Sequence, residues 1–274
     1  MGRSVGVVPT MGFLHDGHAE LMRRCAADND VAALTIFVNP LQFAAHEDLE
    51  DYPRDMARDL DLAGRCSIDH VFAPSLGEMY PEPVLTSVSV AGITERLEGA
   101  SRPEHFAGVA TVVTKLLSIV GPCRAYFGEK DYQQLVVVRR LVLDLSLSAD
   151  IVGCPIVRDH DGLALSSRNI YLTPAQRSAA PTLYRALQAG ADAAAAGEGD
   201  PSVIRSIVSD AVAAEPAAEL DYAELVDAVT LEPARRVGGS QRLLVAARFG
   251  ATRLLDNIAI PDPAPHPPSD APTS

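Results

Sequence analysis

The sequence predicts an α/β protein: a doubly wound parallel sheet with helices on both faces, followed by a smaller C-terminal α+β domain. Three observations carry this. Short apolar, β-prone runs alternate with helical patterns from residue 4 to residue 157, and such alternation builds parallel βαβ units. Each run ends beside a polar or glycine-containing turn. From Thr173 onward the texture changes to Ala-rich helical stretches and then a pair of strands.

The elements follow in order. "SVGVVPT" (4–10) is β-rich and ends in a Pro-Thr-Met-Gly turn; "GHAELMRRCAAD" (17–28) spaces its apolar residues helically; "VAALTIFVN" (31–39) is strand-like. A helical pattern over 51–65, a short "HVFAP" (70–74), a helix over 107–120, "RAYFG" (124–128), a helix over 132–145 and "IVGCPIV" (151–157) continue the alternation. After these come an Ala-rich helix over 174–196, the break "GEGDP" (197–201), a helix over 202–214, and "RLLVAARFGATRLLDNIAI" (242–260), which reads as two strands around Gly250. The resulting expectation is a Rossmann-like domain over 1–157, a smaller α+β lid domain over 158–262 and a disordered tail over 263–274. The tail's prolines and its lack of sizeable apolar side chains leave it nothing to pack.

Composition narrows the function classes. The 274 residues carry 22% charged side chains, and no apolar run approaches the ~18 to 20 residues that span a bilayer. The N-terminus lacks a signal-peptide apolar region, so a soluble, cytoplasmic protein is expected. A formal charge of −13 opposes a nucleic-acid face, which needs many Lys and Arg contacts to phosphate. The four cysteines are widely spaced with no CxxC, which reads as buried thiols rather than zinc ligands or disulfides.

In open parallel sheets, ligands bind outside the carboxyl ends of the strands, so the turns hold the chemistry. The first turn, "PTMGFLHDGH", puts His15 and His18 three apart around Gly17. A zincin site needs a spacing of four within one helix, which disfavours a metal. A phosphate clamp suits the positive end of a helix, and two ordinary imidazoles are the duller alternative. "FVNPLQF" offers Asn39 and Gln42 as hydrogen-bonding amides, or as mere turn chemistry. "FGEKDYQQL" sets Gly128, Lys130 and Asp131 before a helix that carries Gln134. There Lys130 can meet a phosphate, or Asp131 can simply cap the helix. "DGLALSSRN" brings Ser166, Ser167 and Arg168 after a tight Gly162 turn, either a phosphate-binding loop or a plain capped turn.

Together with "HFAGV", these blocks occur in an order that resembles the pantothenate synthetase family, over about residues 4 to 262. The first is similar to the HxGH motif of class I aminoacyl-tRNA synthetases and small nucleotidylyltransferases, and "LSSRN" to a degenerate KMSKS-type motif. The resemblance implies an ATP-dependent ligase that joins pantoate to β-alanine through a pantoyl adenylate, releasing pyrophosphate and AMP. It implies His15, His18, Lys130, Ser166, Ser167 and Arg168 as the catalytic set, acting on the phosphates. ATP contacts would come from Pro9, Thr10, Met11, His18, Gly128, Lys130, Asp131, Val157, Leu165 and the Ser-Ser-Arg run. Pantoate contacts would come from Met11, Asn39, Gln42 and Gln134. Mg2+ is expected to accompany ATP, without named protein ligands, and a homodimer is expected. The apolar surplus of 109–120 and of 124–140 agrees with a dimer.

Three features depart from the family pattern. The chain begins close to its first motif, Phe13 stands where a small alanine is usual, and Leu165 where methionine is usual. Phe13 is expected near the pocket entrance. A nucleotidylyltransferase with a phosphorylated substrate is the runner-up and would need further cations. A catalytically silent nucleotide-binding protein would need damaged motifs.

Overall fold

The computed structural model describes residues 2–44 and 49–260. Chain contacts divide into two compact units between Tyr171 and Leu172. The predicted boundary at 157/158 falls earlier, so residues 158–171 cluster with the first unit rather than the second. The predicted tail, 263–274, lies outside the described residues.

The first unit runs β1 (Val5–Thr10), α1 (Asp16–Asp28), β2 (Val31–Ile36), α2 (Met56–Arg65), β3 (His70–Phe72), α3 (Leu76–Met79), α4 (Glu98–Ser101), α5 (His105–Val120), β4 (Cys123–Gly128), α6 (Tyr132–Asp144) and β5 (Ala149–Cys154). Its strands form one sheet in the order β3-β2-β1-β4-β5, with every pairing parallel. The period of two along each strand divides the core. Val7, Ala125 and Phe127 face α5 and α6 with Val113, Leu117, Leu135 and Val138. Val8, Leu34 and Tyr126 face α1 and α2 with Leu21, Met22 and Ala63. Helices on both faces make the doubly wound sheet.

Local chemistry explains where elements stop. β5 ends at Cys154 rather than at 157, because Pro155 has no N–H to give to the ladder. β2 ends at Ile36, and the chain turns into a 3-10 turn, Pro40–Gln42, capped by Asn39. α2 begins at Met56, not at 51, with the side chain of Asp55 accepting the N–H of Arg58 at 3.1 Å. The segment 75–104 gave no element from sequence, yet holds α3 and α4. Buried Gln133 of α6 ties it down, donating to the carbonyls of Ile93 and Arg96 at 2.8 Å each and accepting the N–H of Glu98 at 3.0 Å.

Most of the apolar surplus of 109–120 and 124–140 is packed within this unit, Ile119 being the exposed exception. Val109, Val112, Val113, Leu116, Val136, Val137 and Val138 are all buried, so they give no support to a dimer surface. Cys25, Cys66 and Cys154 are buried free thiols, and Cys123 is half-buried. Burial pushes the Cys25 thiol up to about 12.

The second unit holds α7 (Pro174–Ala179), α8 (Thr182–Ala195), α9 (Pro201–Ala213) and the antiparallel sheet β6 (Glu219–Asp227), β7 (Gln241–Phe249), β8 (Thr252–Ile260) in the order β6-β7-β8. Pro181 divides the stretch predicted as one helix, since it cannot donate back to the preceding turn. Gly250, at φ +62, makes the predicted β7–β8 turn. α8 and α9 approach so closely that a Cβ on Gly190 would lie 2.9 Å from Val208 and 2.8 Å from Leu243 of β7. β6 was not anticipated; it forms through pairing with β7.

Candidate active site

A cleft opens at the carboxyl ends of the parallel strands, beside β1 and β4, where the strand order reverses. Every residue lining it belongs to the first unit. Its lining includes Pro9, Thr10, Met11, His15, His18, Gln42, Gly128, Lys130, Asp131, Gln134, Val157, Leu165, Ser166, Ser167 and Arg168. Of the predicted catalytic and binding residues, Asn39 alone is outside it.

His15 is the N-cap of α1, and its Nδ1 accepts the backbone N–H of Gly17 at 3.1 Å. His18, at the third helical position, accepts the N–H of His15 on its own Nδ1 at 3.3 Å. This is a capping box written in histidine, and it explains the spacing of three. The rings lie 4.1 Å apart. Burial, then the Lys130 charge, lowers His15 to about 4; burial, then His15, lowers His18 to about 3. Both rings are therefore neutral at pH 7. With each Nδ1 accepting, the bonding assigns each proton to Nε2, so the pair offers two uncharged N–H donors at the positive end of a helix. Gly17 serves this pair directly: a Cβ there would sit 2.8 Å from the His15 ring.

Phe13 lines an adjoining hollow with Ile36, Met56 and Leu76, which shares Met11 and Phe37 with the cleft, and the Arg58 guanidinium stands 5.1 Å over its ring.

Asn39 is 1% exposed and its amide is fully engaged. Nδ2 donates to the carbonyl of Gly108 and to Oε1 of Gln42, both at 3.1 Å, while Oδ1 accepts the Tyr80 hydroxyl at 2.9 Å. The bond to Oε1 fixes which end of the Gln42 amide faces Asn39. The Gln42 backbone carbonyl is also held, by His105 Nδ1 at 2.9 Å and Arg102 at 3.3 Å. α5 packs on this turn so tightly that a Cβ on Gly108 would lie 2.1 Å from the carbonyl oxygen of Leu41, which accounts for the glycine of "HFAGV".

After β4, the 3-10 turn Glu129–Asp131 delivers Lys130 and Asp131, and the first turn of α6 delivers Gln134. Asp131 occupies the N-cap position but makes no side-chain cap. Its carboxylate stands 3.4 Å from the Lys130 ammonium instead. Desolvation in the cleft works against its charge, but Lys130, with Arg168 and His105 behind it, outweighs this and holds its carboxyl below the usual carboxylate range.

The fourth segment is a hairpin. Leu165 N–H donates to Val157 at 2.9 Å, and Gly162 turns the chain at φ +95. A 3-10 turn, Ser167–Tyr171, then presents Ser167 and Arg168. Ser166 Oγ accepts the Arg168 N–H at 3.3 Å, and Asn169 braces the hairpin at the carbonyl of Ala164 at 3.1 Å.

Sequence reading missed two groups. Tyr52 lines the cleft with its hydroxyl 3.5 Å from Ser167 Oγ; it stands among charged residues and no local pattern marks it. Phe37, Val109, Val112, Val113, Leu116 and Phe127 form an apolar wall. Their helical spacing on α5 was legible, but not that one face of that helix borders a cavity.

The chain is similar over nearly its whole length to known proteins. A family model described as pantoate-beta-alanine ligase matches residues 1–259. A pantothenate synthetase from Moorella thermoacetica is 51% identical over 259 residues, 94% of this chain and 92% of that protein. One from Sinorhizobium medicae is 53% identical over 260 residues, 94% and 89% of the two chains. The crystal structure of pantothenate synthetase from Thermus thermophilus superposes with a TM-score of 0.91 at 48% identity, covering 94% of this chain and 93% of that one. A pantoate-beta-alanine ligase from Francisella tularensis, complexed with beta-gamma ATP and beta-alanine, gives 0.78 at 34% identity, covering 94% and 90%. On the match of a single family model to nearly the whole chain, this protein belongs to the pantoate-beta-alanine ligase family.

Proposed function

We propose that this chain condenses pantoate with β-alanine at the expense of ATP, through a pantoyl adenylate, with the cleft beside β1 and β4 as the active site. The observation that carries the reading is the convergence of the turns after β1, β2 and β4 and the 157–168 hairpin on one cleft, in a chain of this family.

Each wall has a task. The Nε2–H groups of His15 and His18 meet the oxygens of the α-phosphate, where negative charge builds as it is attacked. Lys130, Ser166, Ser167 and Arg168 hold the rest of the triphosphate; Pro9, Thr10, Gly128, Asp131, Val157 and Leu165 border the adenosine. Met11, Gln42 and Gln134 face pantoate, whose branched apolar body suits the wall of Val109, Val112 and Val113. A pantoate carboxylate oxygen attacks the α-phosphorus as the bond to the bridging oxygen breaks and pyrophosphate leaves. The β-alanine amine then attacks the acyl carbon, losing a proton, and AMP departs. No step needs a protein nucleophile; alignment and preorganised donors do the work.

Among the described residues no cluster of three or more His, Cys, Asp and Glu side chains could hold a metal, and Asp131 is the carboxylate lining the cleft. With one carboxylate in its lining, the cleft would suit a Mg2+ carried in on the ATP phosphates rather than held by the protein; when bound, such an ion would neutralise phosphate charge. The cations lining the cleft are Lys130 and Arg168, few for an additional substrate phosphate. A cytoplasmic homodimer completes the proposal on family resemblance; among the described residues no helix is long and apolar enough to cross a membrane.

The test is pantoate-dependent exchange of labelled pyrophosphate into ATP, followed by β-alanine-dependent AMP release. His15→Ala, His18→Ala and Lys130→Ala should each slow exchange by about 10²–10³-fold, the scale of losing one preorganised donor. Near-normal rates in all three folded variants would remove the assignment. A monomer mass by light scattering at micromolar protein would remove the dimer.

A further inference from the structure

The turn that leads into His15 is held from outside by one buried carboxylate. Gly12 has φ +84 and Phe13 φ +50, two successive left-handed residues, of which the second is a bulky side chain that rarely adopts this region. Asp59 of α2, 1% exposed, reaches both following amides. Its Oδ2 accepts the N–H of Phe13 at 2.8 Å and its Oδ1 accepts the N–H of Leu14 at 2.7 Å. The same carboxylate excludes a side chain at position 12, since a Cβ there would lie 2.9 Å from Oδ2. Arg58, its neighbour in sequence, closes over the Phe13 ring. Leu14 is buried, and the next residue is the N-cap histidine.

We propose that Asp59 is a positioning residue for the reaction, holding the left-handed Gly12-Phe13 turn so that His15 and His18 reach the nucleotide as a preformed pair. The assignment rests on the function proposed above. Two amides converging on two oxygens of one carboxylate define the turn's direction as well as its place, and a neutral amide side chain cannot reproduce this. In the Asp59→Asn variant one of the two N–H groups would meet an NH2 donor in place of an acceptor.

The experiment compares Asp59→Asn, the double variant Asp59→Asn with Phe13→Gly, and wild type. Asp59→Asn should slow pantoate-dependent pyrophosphate exchange at least 10-fold through kcat, leave the KM for β-alanine within 2-fold, and raise the NMR titration midpoint of His15 toward that of an ordinary imidazole. Phe13→Gly, which favours positive φ by itself, should restore at least 3-fold of the rate. Exchange within 2-fold of wild type in Asp59→Asn, or a loss that Phe13→Gly does not relieve, overturns the proposal. If Asp59→Asn does not fold, hydrogen exchange in wild type decides: slow exchange of the Phe13 and Leu14 amides supports the brace and free exchange overturns it. Loss of the broader functional reading looks different, because His15→Ala would then keep its exchange activity while, in wild type, the Phe13 and Leu14 amides stay protected.

Discussion

The backbone N–H of His15 donates to Nδ1 of His18 across 3.3 Å, so His18 cannot be protonated at that nitrogen without losing the cap. Two neutral imidazoles follow, and with them a pH prediction. Folded values of about 4 for His15 and about 3 for His18 lie below the ordinary 6.5. The unfolded chain therefore binds more protons below pH 6.5. Stability is complete above that pH and is lost as pH falls toward 4 and 3, by about 2 kcal/mol per histidine at pH 5. NMR titration should show both midpoints below 5, and kcat for exchange should show no inflection near 6.5. A midpoint near 6.5 in either ring would contradict the burial argument.

Asn39→Ala should act on pantoate through Gln42. With the donor to Oε1 gone, the Gln42 side chain keeps its Nε2 bond to Met11 Sδ at 3.2 Å but loses the contact that fixes its oxygen, and the KM for pantoate should rise about tenfold, the size of one neutral hydrogen bond. The KM for ATP should move less than twofold. Steady-state kinetics with each substrate varied in turn checks this; an equal rise in both constants would show general damage.

Gly108→Ala forces a methyl group to within 2.1 Å of the Leu41 carbonyl oxygen. α5 and the Pro40–Gln42 turn must then separate. A stability loss of about 3 kcal/mol or more is expected from overpacking against backbone, together with weakened pantoate binding, read from urea unfolding and from pantoate titration. A variant as stable as wild type would mean that this contact gives way easily.

Gln133→Leu keeps bulk but leaves the carbonyls of Ile93 and Arg96 and the N–H of Glu98 without their present partner. The Arg96 carbonyl keeps the N–H of Gly99 at 2.9 Å, so the expected cost is about 1–3 kcal/mol of stability, that of losing hydrogen bonds to partly buried backbone groups. Amides of 93–98 should exchange faster with solvent while those of β1 and β4 keep their protection.

Much of the site was legible because it is local. The "HDGH", "FGEKD" and "LSSRN" runs each sit on one turn, where a glycine or a helix start dictates the backbone. Asn39 shows the opposite case: its residue type suited a ligand, but its partners Tyr80 and Gly108 lie 41 and 69 residues away. No local pattern could show that they consume its amide. Tyr52 and the α5 wall were hidden for the same reason.

The one-dimensional chain determined the βαβ alternation, the Gly250 turn and the four polar turns, because hydrophobic period and turn chemistry act over a few residues. Tertiary structure alone decided that β6 pairs with β7, that residues 158–171 belong with the first unit, and that Asp59 and Asn39 brace what others present. Those outcomes depend on contacts between distant segments, and their free energy exists only once the segments have met.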